Sequence, residues 1–257
     1  MTSTRSSTGT IAWLKPGPLD RDSMDVFAMT PRDVRLQVFA MPLSTAMMEA
    51  EVFDGSGFDA VQRPQVLDVV RGIEAYGHPD FTVVTGDLIQ SAMGPAWDRR
   101  LRDDIADITG RGAATAMTAV TDCLDWLGVR RLAVASPFRD AQNDHIVRYL
   151  TAAGYEVTAI GGYPTHGLAQ VRALPQDAPY VKGMEVFDRD RTAEVLFVTC
   201  PLWPVGEHTA PLEDATGVPV LTVPNTMIWA GLRAMGHPGG VRGYGRILED
   251  PRNPPDR

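Results

Sequence analysis

The chain has 257 residues, of which 44% are apolar and 22% are charged, and its formal net charge is −8. These proportions are typical of a folded globular protein and exclude a disordered chain, a collagen or a coiled coil. The chain is acidic and contains no run of Lys or Arg longer than two residues, so we expect no nucleic-acid partner. The length suits one large domain or two small ones.

Short apolar stretches alternate along the chain with stretches whose apolar residues recur every three or four positions. In the first half these patterns predict, in chain order, strands at 10–14 and 34–40, a helix at 62–76, a strand at 81–85, and helices at 96–108 and 117–127. In the second half they predict a strand at 131–135, a helix at 140–153, strands at 155–160, 194–199 and 218–223, and a helix at 226–235. Residues 237–257 are rich in Gly, Pro and Arg, which predicts a flexible or loosely docked tail.

Strands that alternate with helices indicate an α/β fold with parallel sheets. The strands before residue 90 and those after residue 130 repeat one plan, so we predict two similar lobes, each a parallel sheet flanked by helices. The N-terminal lobe is assigned residues 1–118 plus 225–257, and the C-terminal lobe residues 119–224. Ligands of such folds bind beyond the carboxyl ends of the strands. That rule selects the segments 15–18, 41–44, 86–88, 136–138, 161–166 and 200–203.

Sequence motifs of common cofactor and metal sites are missing. The chain contains no P-loop, no complete dinucleotide-binding glycine motif and no G-x-S-x-G nucleophile turn. The five histidines are scattered, with no pair at the spacing of helical metal ligands. We therefore expect neither a cofactor nor a metal.

The two cysteines are too few for a disulfide framework. The first fourteen residues lack the apolar stretch of a signal peptide, and no stretch approaches the ~18 apolar residues of a membrane span. We therefore expect a cytoplasmic protein without a membrane partner. The sequence leaves a monomer or a small homo-oligomer open.

The two thiols have different surroundings. Cys123 lies on the apolar side of a predicted helix and is interpreted as a core residue. Cys200 follows an apolar strand and precedes a proline. It is either a core cysteine or a thiol that faces a cleft and acts as acid, base or nucleophile.

The order of elements around Cys200 resembles the Asp/Glu racemase superfamily. The resemblance lies in Thr199-Cys200 after an apolar strand, then a helix, then Gly217-Val-Pro-Val-Leu221 and a closing helix through Trp229. The segment Gly128-Val-Arg-Arg-Leu-Ala-Val-Ala135, a strand that follows a helix, is similar as well. The resemblance spans residues 10–236 and points to the branch of arylmalonate decarboxylases and maleate isomerases. It implies two lobes related by a pseudo-two-fold axis, with a site for a small carboxylic acid in the cleft between them and no cofactor.

The resemblance also implies a reaction. Racemases of this superfamily carry one cysteine on each lobe, but here the first position falls at Gly86 and only the second, Cys200, is a cysteine. This pattern resembles the decarboxylases, in which a carboxylate is lost and the single thiol protonates the resulting enolate. Donors preorganised around the enolate and an apolar pocket around the leaving carboxylate make that chemistry possible without a cofactor.

Two alternatives to decarboxylation stay open. One is a cis-trans isomerase or racemase in which Asp87 replaces the missing thiol, or in which Cys200 adds to a double bond. The other is a binder of small carboxylates that has lost the chemistry.

Several positions depart from the decarboxylase pattern. Asp87 and Leu88 stand where the family has hydroxyl residues that donate to the enolate, and Phe138 stands where it has a tyrosine. Pro201 follows the cysteine and has no N–H to donate. Lys15 is either a partner for the substrate carboxylate or a solvated loop lysine.

These considerations define a predicted site. The catalytic residues are Cys200 and Asp87. His166 is either a polar substrate contact or a loop histidine, and Trp13 and Trp203 either line an aromatic pocket or pack in the core. The predicted substrate-binding residues are Lys15, Gly86, Leu88, Ser136, Phe138, His166, Thr199, Pro201 and Leu202.

Overall fold

The structure is a computed structural model that describes residues 8–17, 25–41 and 58–255. The strands in these ranges are Gly9–Pro16 (β1), Val34–Met41 (β2), Phe81–Val84 (β3), Gly112–Thr115 (β4), Arg131–Ala135 (β5), Glu156–Gly161 (β6), Val195–Val198 (β7) and Val220–Thr222 (β8). The α-helices are Asp25–Ala28 (α1), Phe58–Gly77 (α2), Asp87–Met93 (α3), Pro95–Thr109 (α4), Ala116–Leu127 (α5), Asp140–Ala152 (α6), Leu168–Arg172 (α7), Ala178–Arg189 (α8), Thr209–Thr216 (α9) and Val223–Ala234 (α10). Short 3-10 helices lie at Gly206–His208 and Arg246–Leu248. Among the helices of the described ranges, none has both the length and the apolar character that crossing a membrane requires.

The strands form two four-stranded sheets, and every strand pair is parallel. The strand order is β2-β1-β3-β4 in the first sheet and β6-β5-β7-β8 in the second, so the same plan occurs twice. All four residues of β3 and of β7 are buried, as expected for strands covered by helices on both faces. The predicted pair of similar α/β lobes is confirmed.

Two capped helices tie the lobes together. Helix α5 begins with a capping box in which Thr115 and Thr118 satisfy each other's backbone N–H groups. Helix α10 begins with the same device between Thr222 and Asn225. The two helices pack against each other, and α10 also contacts β3, β4 and β8. Both lobe boundaries that we assigned from the sequence fall inside these helices, so that division stays a prediction.

The segment after α10 is part of the core. The side chains of Ile247 and Leu248 are completely buried. The carboxylate of Glu213 accepts hydrogen bonds from the backbone N–H of Arg246, and the amide of Asn225 donates to the carbonyl of Tyr244. Two apolar residues thus anchor this segment to the core, although Gly, Pro and Arg dominate its composition, and the expectation of a flexible or loosely docked tail stays a prediction for the rest of it.

A buried polar pair joins helices from the two halves of the chain. The hydroxyl of Tyr149 on α6 donates to Oδ2 of Asp98 on α4 over 2.7 Å, and neither side chain reaches solvent. Burial raises the pKa of Asp98 from 3.8 to about 6, against the opposing effect of hydrogen bonds from Thr115 and Tyr149. The ionised form of Asp98 is thus less favourable in the folded protein than in the unfolded chain.

This pair predicts a pH dependence of stability. As the pH rises, the unfolded chain releases the Asp98 proton near pH 4 but the folded protein retains it until about pH 6. The free energy of unfolding therefore falls over that window, by up to about 3 kcal/mol, and Asp98→Asn should remove this slope. Urea unfolding at several pH values between about 4 and 7 measures it.

The matched control is Asp103→Asn on the same helix, which removes an exposed carboxylate and should leave the slope unchanged. Parallel pH profiles for the wild type and Asp98→Asn would contradict the account of this buried pair.

Candidate active site

The carboxyl ends of the central strands β3 and β7 meet in the cleft between the lobes. Three residues lie within hydrogen-bonding contact there, namely Asp87 after β3 and Thr199 and Cys200 after β7. The two predicted catalytic residues are thus neighbours in space, although 113 positions separate them in the sequence. This contact between the lobes is the centre of the candidate site.

Asp87 projects its carboxylate across the cleft. The residue is 5% exposed, and its Oδ2 accepts hydrogen bonds from the hydroxyl of Thr199 and, over 2.9 Å, from the backbone N–H of Cys200. The backbone of Asp87 is held in turn because its carbonyl accepts a 2.6 Å hydrogen bond from the Ser91 hydroxyl, one turn along α3. The carboxylate is therefore part of the cleft wall and is turned toward the thiol segment.

Burial also changes the acidity of this group. It raises the pKa of Asp87, and the hydrogen bonds from Thr199 and from the Cys200 N–H oppose the shift without cancelling it. The neutral acid is consequently more accessible to Asp87 than to an ordinary surface aspartate.

Gly86 shapes the turn that delivers Asp87. Its φ of 130° is one that only glycine adopts readily. A β-carbon on this residue would still have room, since the nearest atom is Nε2 of Gln90 at 3.5 Å. The backbone conformation therefore disfavours any residue with a β-carbon, cysteine included, at position 86.

Cys200 sits at an unusual backbone position. The sheet ends with the hydrogen bond from Thr199 N–H to the Ala135 carbonyl, and Cys200 then adopts a φ of +75°. This conformation turns its N–H toward Asp87 and costs a residue with a β-carbon roughly 1 kcal/mol or more. The residue is 3% exposed. Strain of this kind persists where the surrounding structure imposes it, often at functional sites.

A pocket opens beside this contact, with walls from both halves of the chain, and we call it the cleft pocket. Its lining is mostly apolar, and it contains both tryptophans that the sequence analysis singled out. Lys15 is one of its walls and is only 5% exposed, so the alternative of a solvated loop lysine is wrong. The lining residues are Trp13, Lys15, Asp25, Val26, Thr85, Pro201, Trp203, Val205 and Pro224.

Other predicted site residues lie elsewhere. The Ser136 hydroxyl donates to Asn143 over 2.5 Å and accepts from the Phe138 N–H over 3.0 Å, so it organises its own loop. His166 is exposed and its Nδ1 contacts Arg139 at 3.2 Å. None of these three predicted residues is among those lining the cleft pocket, and their substrate-binding role stays a prediction.

The remaining predictions divide between the site and its surroundings. Leu88 and Leu202 are half-buried and pack against the main core, while Pro201 lines the cleft pocket. Residue 18 and residues 42–44, which we also placed near the site, lie outside the described ranges. In the described part of the chain, no three His, Cys, Asp or Glu side chains cluster in a way that would hold a metal ion.

Sequence reasoning missed five of the nine lining residues, Val205 among them. Thr85 follows β3 directly and Pro224 lies two residues after the end of β8, so the strand-end rule could have found both. Asp25 and Val26 belong to α1, a four-residue helix without a recognisable periodicity. No signal in the sequence indicated that this helix reaches the pocket.

The chain is therefore an α/β protein of two parallel-sheet lobes, with a buried thiol and a buried carboxyl group in the cleft between them. More closely, the chain belongs to the arylmalonate decarboxylase family, because the sequence model of that family matches residues 38–248. The relatives of the chain include an arylmalonate decarboxylase, which is a lyase, and a maleate isomerase. Both relatives are enzymes, and this protein is an enzyme as well.

Individual relatives agree with this assignment. The arylmalonate decarboxylase of Bordetella bronchiseptica is 24% identical over 197 residues, which cover 76% of this chain and 80% of that protein. The structure of unliganded arylmalonate decarboxylase has a TM-score of 0.77 at 21% identity and covers 94% of this chain and 99% of its own. A maleate cis-trans isomerase of Nocardia farcinica with a covalently bound succinylcysteine intermediate has a TM-score of 0.76 at 18% identity, covering 94% and 98%.

Because the backbone at position 200 is left-handed, glycine should stabilise the protein more than alanine there, which is the reverse of the order found within a helix. At φ +75° glycine is unstrained and alanine is not, so Cys200→Gly should be more stable than Cys200→Ala by about 1 kcal/mol. Equilibrium unfolding in urea measures the difference.

The other cysteine supplies the matched control. Cys123 lies within α5, where alanine should be more stable than glycine by about 1 kcal/mol. If Cys200→Ala is also the more stable of its pair, the strained backbone at Cys200 is refuted.

Proposed function

We propose that the protein is a cofactor-independent decarboxylase of a small carboxylic acid, in which Cys200 donates a proton to the enolate left by the departing carboxylate. The observation that carries the proposal is the buried Cys200 just after β7, whose backbone N–H donates to Asp87, the residue that follows the Gly86 turn. Membership of the arylmalonate decarboxylase family supports it.

The cleft pocket supplies an environment for loss of a carboxylate. Its walls include the apolar side chains of Trp13, Trp203 and Val205, and a carboxylate that is poorly solvated beside them loses less on becoming neutral carbon dioxide. The ammonium group of Lys15 balances the charge that develops on the enolate oxygen. Both effects favour the transition state over the bound acid.

Cys200 then completes the reaction. The bond between the α-carbon and the carboxylate breaks, its electron pair forms the enolate, and the thiol proton moves to the α-carbon. The thiolate takes a proton from solvent at the end of the cycle. In its thiol form Cys200 carries the proton that this step transfers.

A second candidate is a cis-trans isomerase in which Cys200 adds to a double bond. The contact of Asp87 with the Cys200 segment favours it, because a carboxyl group with a raised pKa at that place can exchange a proton with the intermediate. The succinylcysteine intermediate of the Nocardia farcinica isomerase is a precedent within the same fold.

Proton NMR in heavy water tests the proposal and separates the candidates. The wild type should release carbon dioxide from an arylmalonate or a related acid and place one deuteron on the α-carbon. Cys200→Ala should lower this turnover by at least about 100-fold, because a positioned proton donor contributes that much or more.

Cys123→Ala is the control, since this thiol is buried in α5, and it should keep wild-type turnover. Full turnover by Cys200→Ala would contradict the proposal. Isomerisation or deuterium exchange without carbon dioxide release would select the isomerase.

A further inference from the structure

We propose that the hydroxyl group of Thr85 binds an oxygen of the substrate in the cleft pocket and stabilises the negative charge that this oxygen gains during the reaction. This role rests on the proposed function and adds a binding residue to it. The oxygen belongs to the acid group that stays on the substrate and becomes the enolate oxygen when carbon dioxide leaves. Thr85 donates a hydrogen bond throughout and keeps its proton.

The backbone places Thr85 at the carboxyl end of a central strand. The residue follows β3 directly, and its N–H donates to the carbonyl of Leu14 over 2.9 Å, so the pairing of β3 with β1 continues one residue beyond the strand. Gly86 and Asp87 come next in the chain. Ligands of parallel α/β folds bind at this edge of the sheet.

Strand alternation decides which way the side chain of Thr85 projects. Successive side chains point to opposite faces, so Thr85 shares a face with Val83 and lies opposite Val84. Val83 pairs with Trp13, and both pack in a core cluster to which the two lobes contribute. Val84 packs in a separate cluster formed by the first half of the chain. The Thr85 side chain thus projects toward the second lobe, and it lines the cleft pocket together with Trp13.

The Thr85 hydroxyl is available to a ligand. Thr85 is 5% exposed, and in the described part of the chain its hydroxyl has no hydrogen-bond partner. Buried polar groups are normally paired, so a hydroxyl in a pocket wall without a protein partner is suited to a ligand oxygen. The charged lining residues differ, since Lys15 and Asp25 have interactions of their own within the protein.

A neutral donor is effective in this setting. The lining of the cleft pocket is mostly apolar, and a hydrogen bond to a charged oxygen is stronger there than in water. The bond strengthens further as charge gathers on the enolate oxygen, so it lowers the reaction barrier more than it tightens substrate binding. Because a hydroxyl is neutral, this contribution does not depend on the ionisation of Asp87.

Replacing the hydroxyl by a methyl group tests this role. Thr85→Val keeps the branched shape of the side chain, and kcat for 2-phenylmalonate should fall about 100-fold, as for one lost donor to a developing oxyanion. KM should rise less, by about tenfold at most, because the substrate oxygen carries less charge than the enolate oxygen. Thr85→Ser restores a hydroxyl and should bring kcat back to within about tenfold of the wild type.

Thr82→Val on the same strand is the matched control. Thr82 is completely buried on the opposite face of β3, and its hydroxyl also lacks a partner among the described residues, so this variant should keep wild-type kcat. Neither valine variant should lower the melting temperature, because each replaces a buried hydroxyl that has no partner. Wild-type kcat in Thr85→Val, an equal loss in Thr82→Val, or a loss in Thr85→Val that comes with a lower melting temperature would overturn the inference.

Binding to a variant without the thiol separates this role from the proposed function. By titration calorimetry, 2-phenylmalonate should bind Cys200→Ala about tenfold more tightly than Cys200→Ala/Thr85→Val, because the second variant loses a hydrogen bond to a charged oxygen. If the wild type turns over no acid, the proposed function is contradicted, while this difference in affinity still supports substrate binding by Thr85. Equal affinities, or no binding to either variant, would overturn the inference.

Discussion

One hydrogen-bonded carboxylate holds the site together. Asp87 comes from the first lobe and accepts hydrogen bonds from Thr199 and from the backbone of Cys200 in the second. The strained backbone at Cys200 and the glycine turn before Asp87 lie at this contact, and burial there raises the pKa of the Asp87 carboxyl group. Because the contact spans both lobes, the geometry of the site depends on how the lobes pack.

The cleft pocket brings charged groups into a mostly apolar setting. A buried lysine, Lys15, lies in it beside two tryptophans, and Asp87 contacts the residue before the pocket's Pro201.

Much of this architecture could be predicted from the sequence, because β3 and β7 are short, mostly apolar stretches rich in β-branched residues and the patterns of α5 and α10 are regular. Strand Gly112–Thr115 was missed because it consists of four small residues with little preference for a strand. The burial of Ile247 was missed because composition does not show what a segment packs against. In the site, the strand-end rule located Asp87 and Cys200, but no local pattern could show that a hydrogen bond joins them, since it depends on tertiary packing. The exposure of His166 depends on the same packing.

The central claim is that the Asp87 carboxyl group accepts a hydrogen bond from the backbone N–H of Cys200 across the cleft. A crystal structure of the unliganded protein at about 1.2 Å resolution tests it most directly, since both the contact and the ionisation-dependent C–O bond lengths are then visible. The account predicts an Asp87 oxygen within about 3.2 Å of the Cys200 nitrogen, and a left-handed backbone at Cys200. An Asp87 side chain turned into solvent, with the Cys200 N–H bound to water, would contradict it.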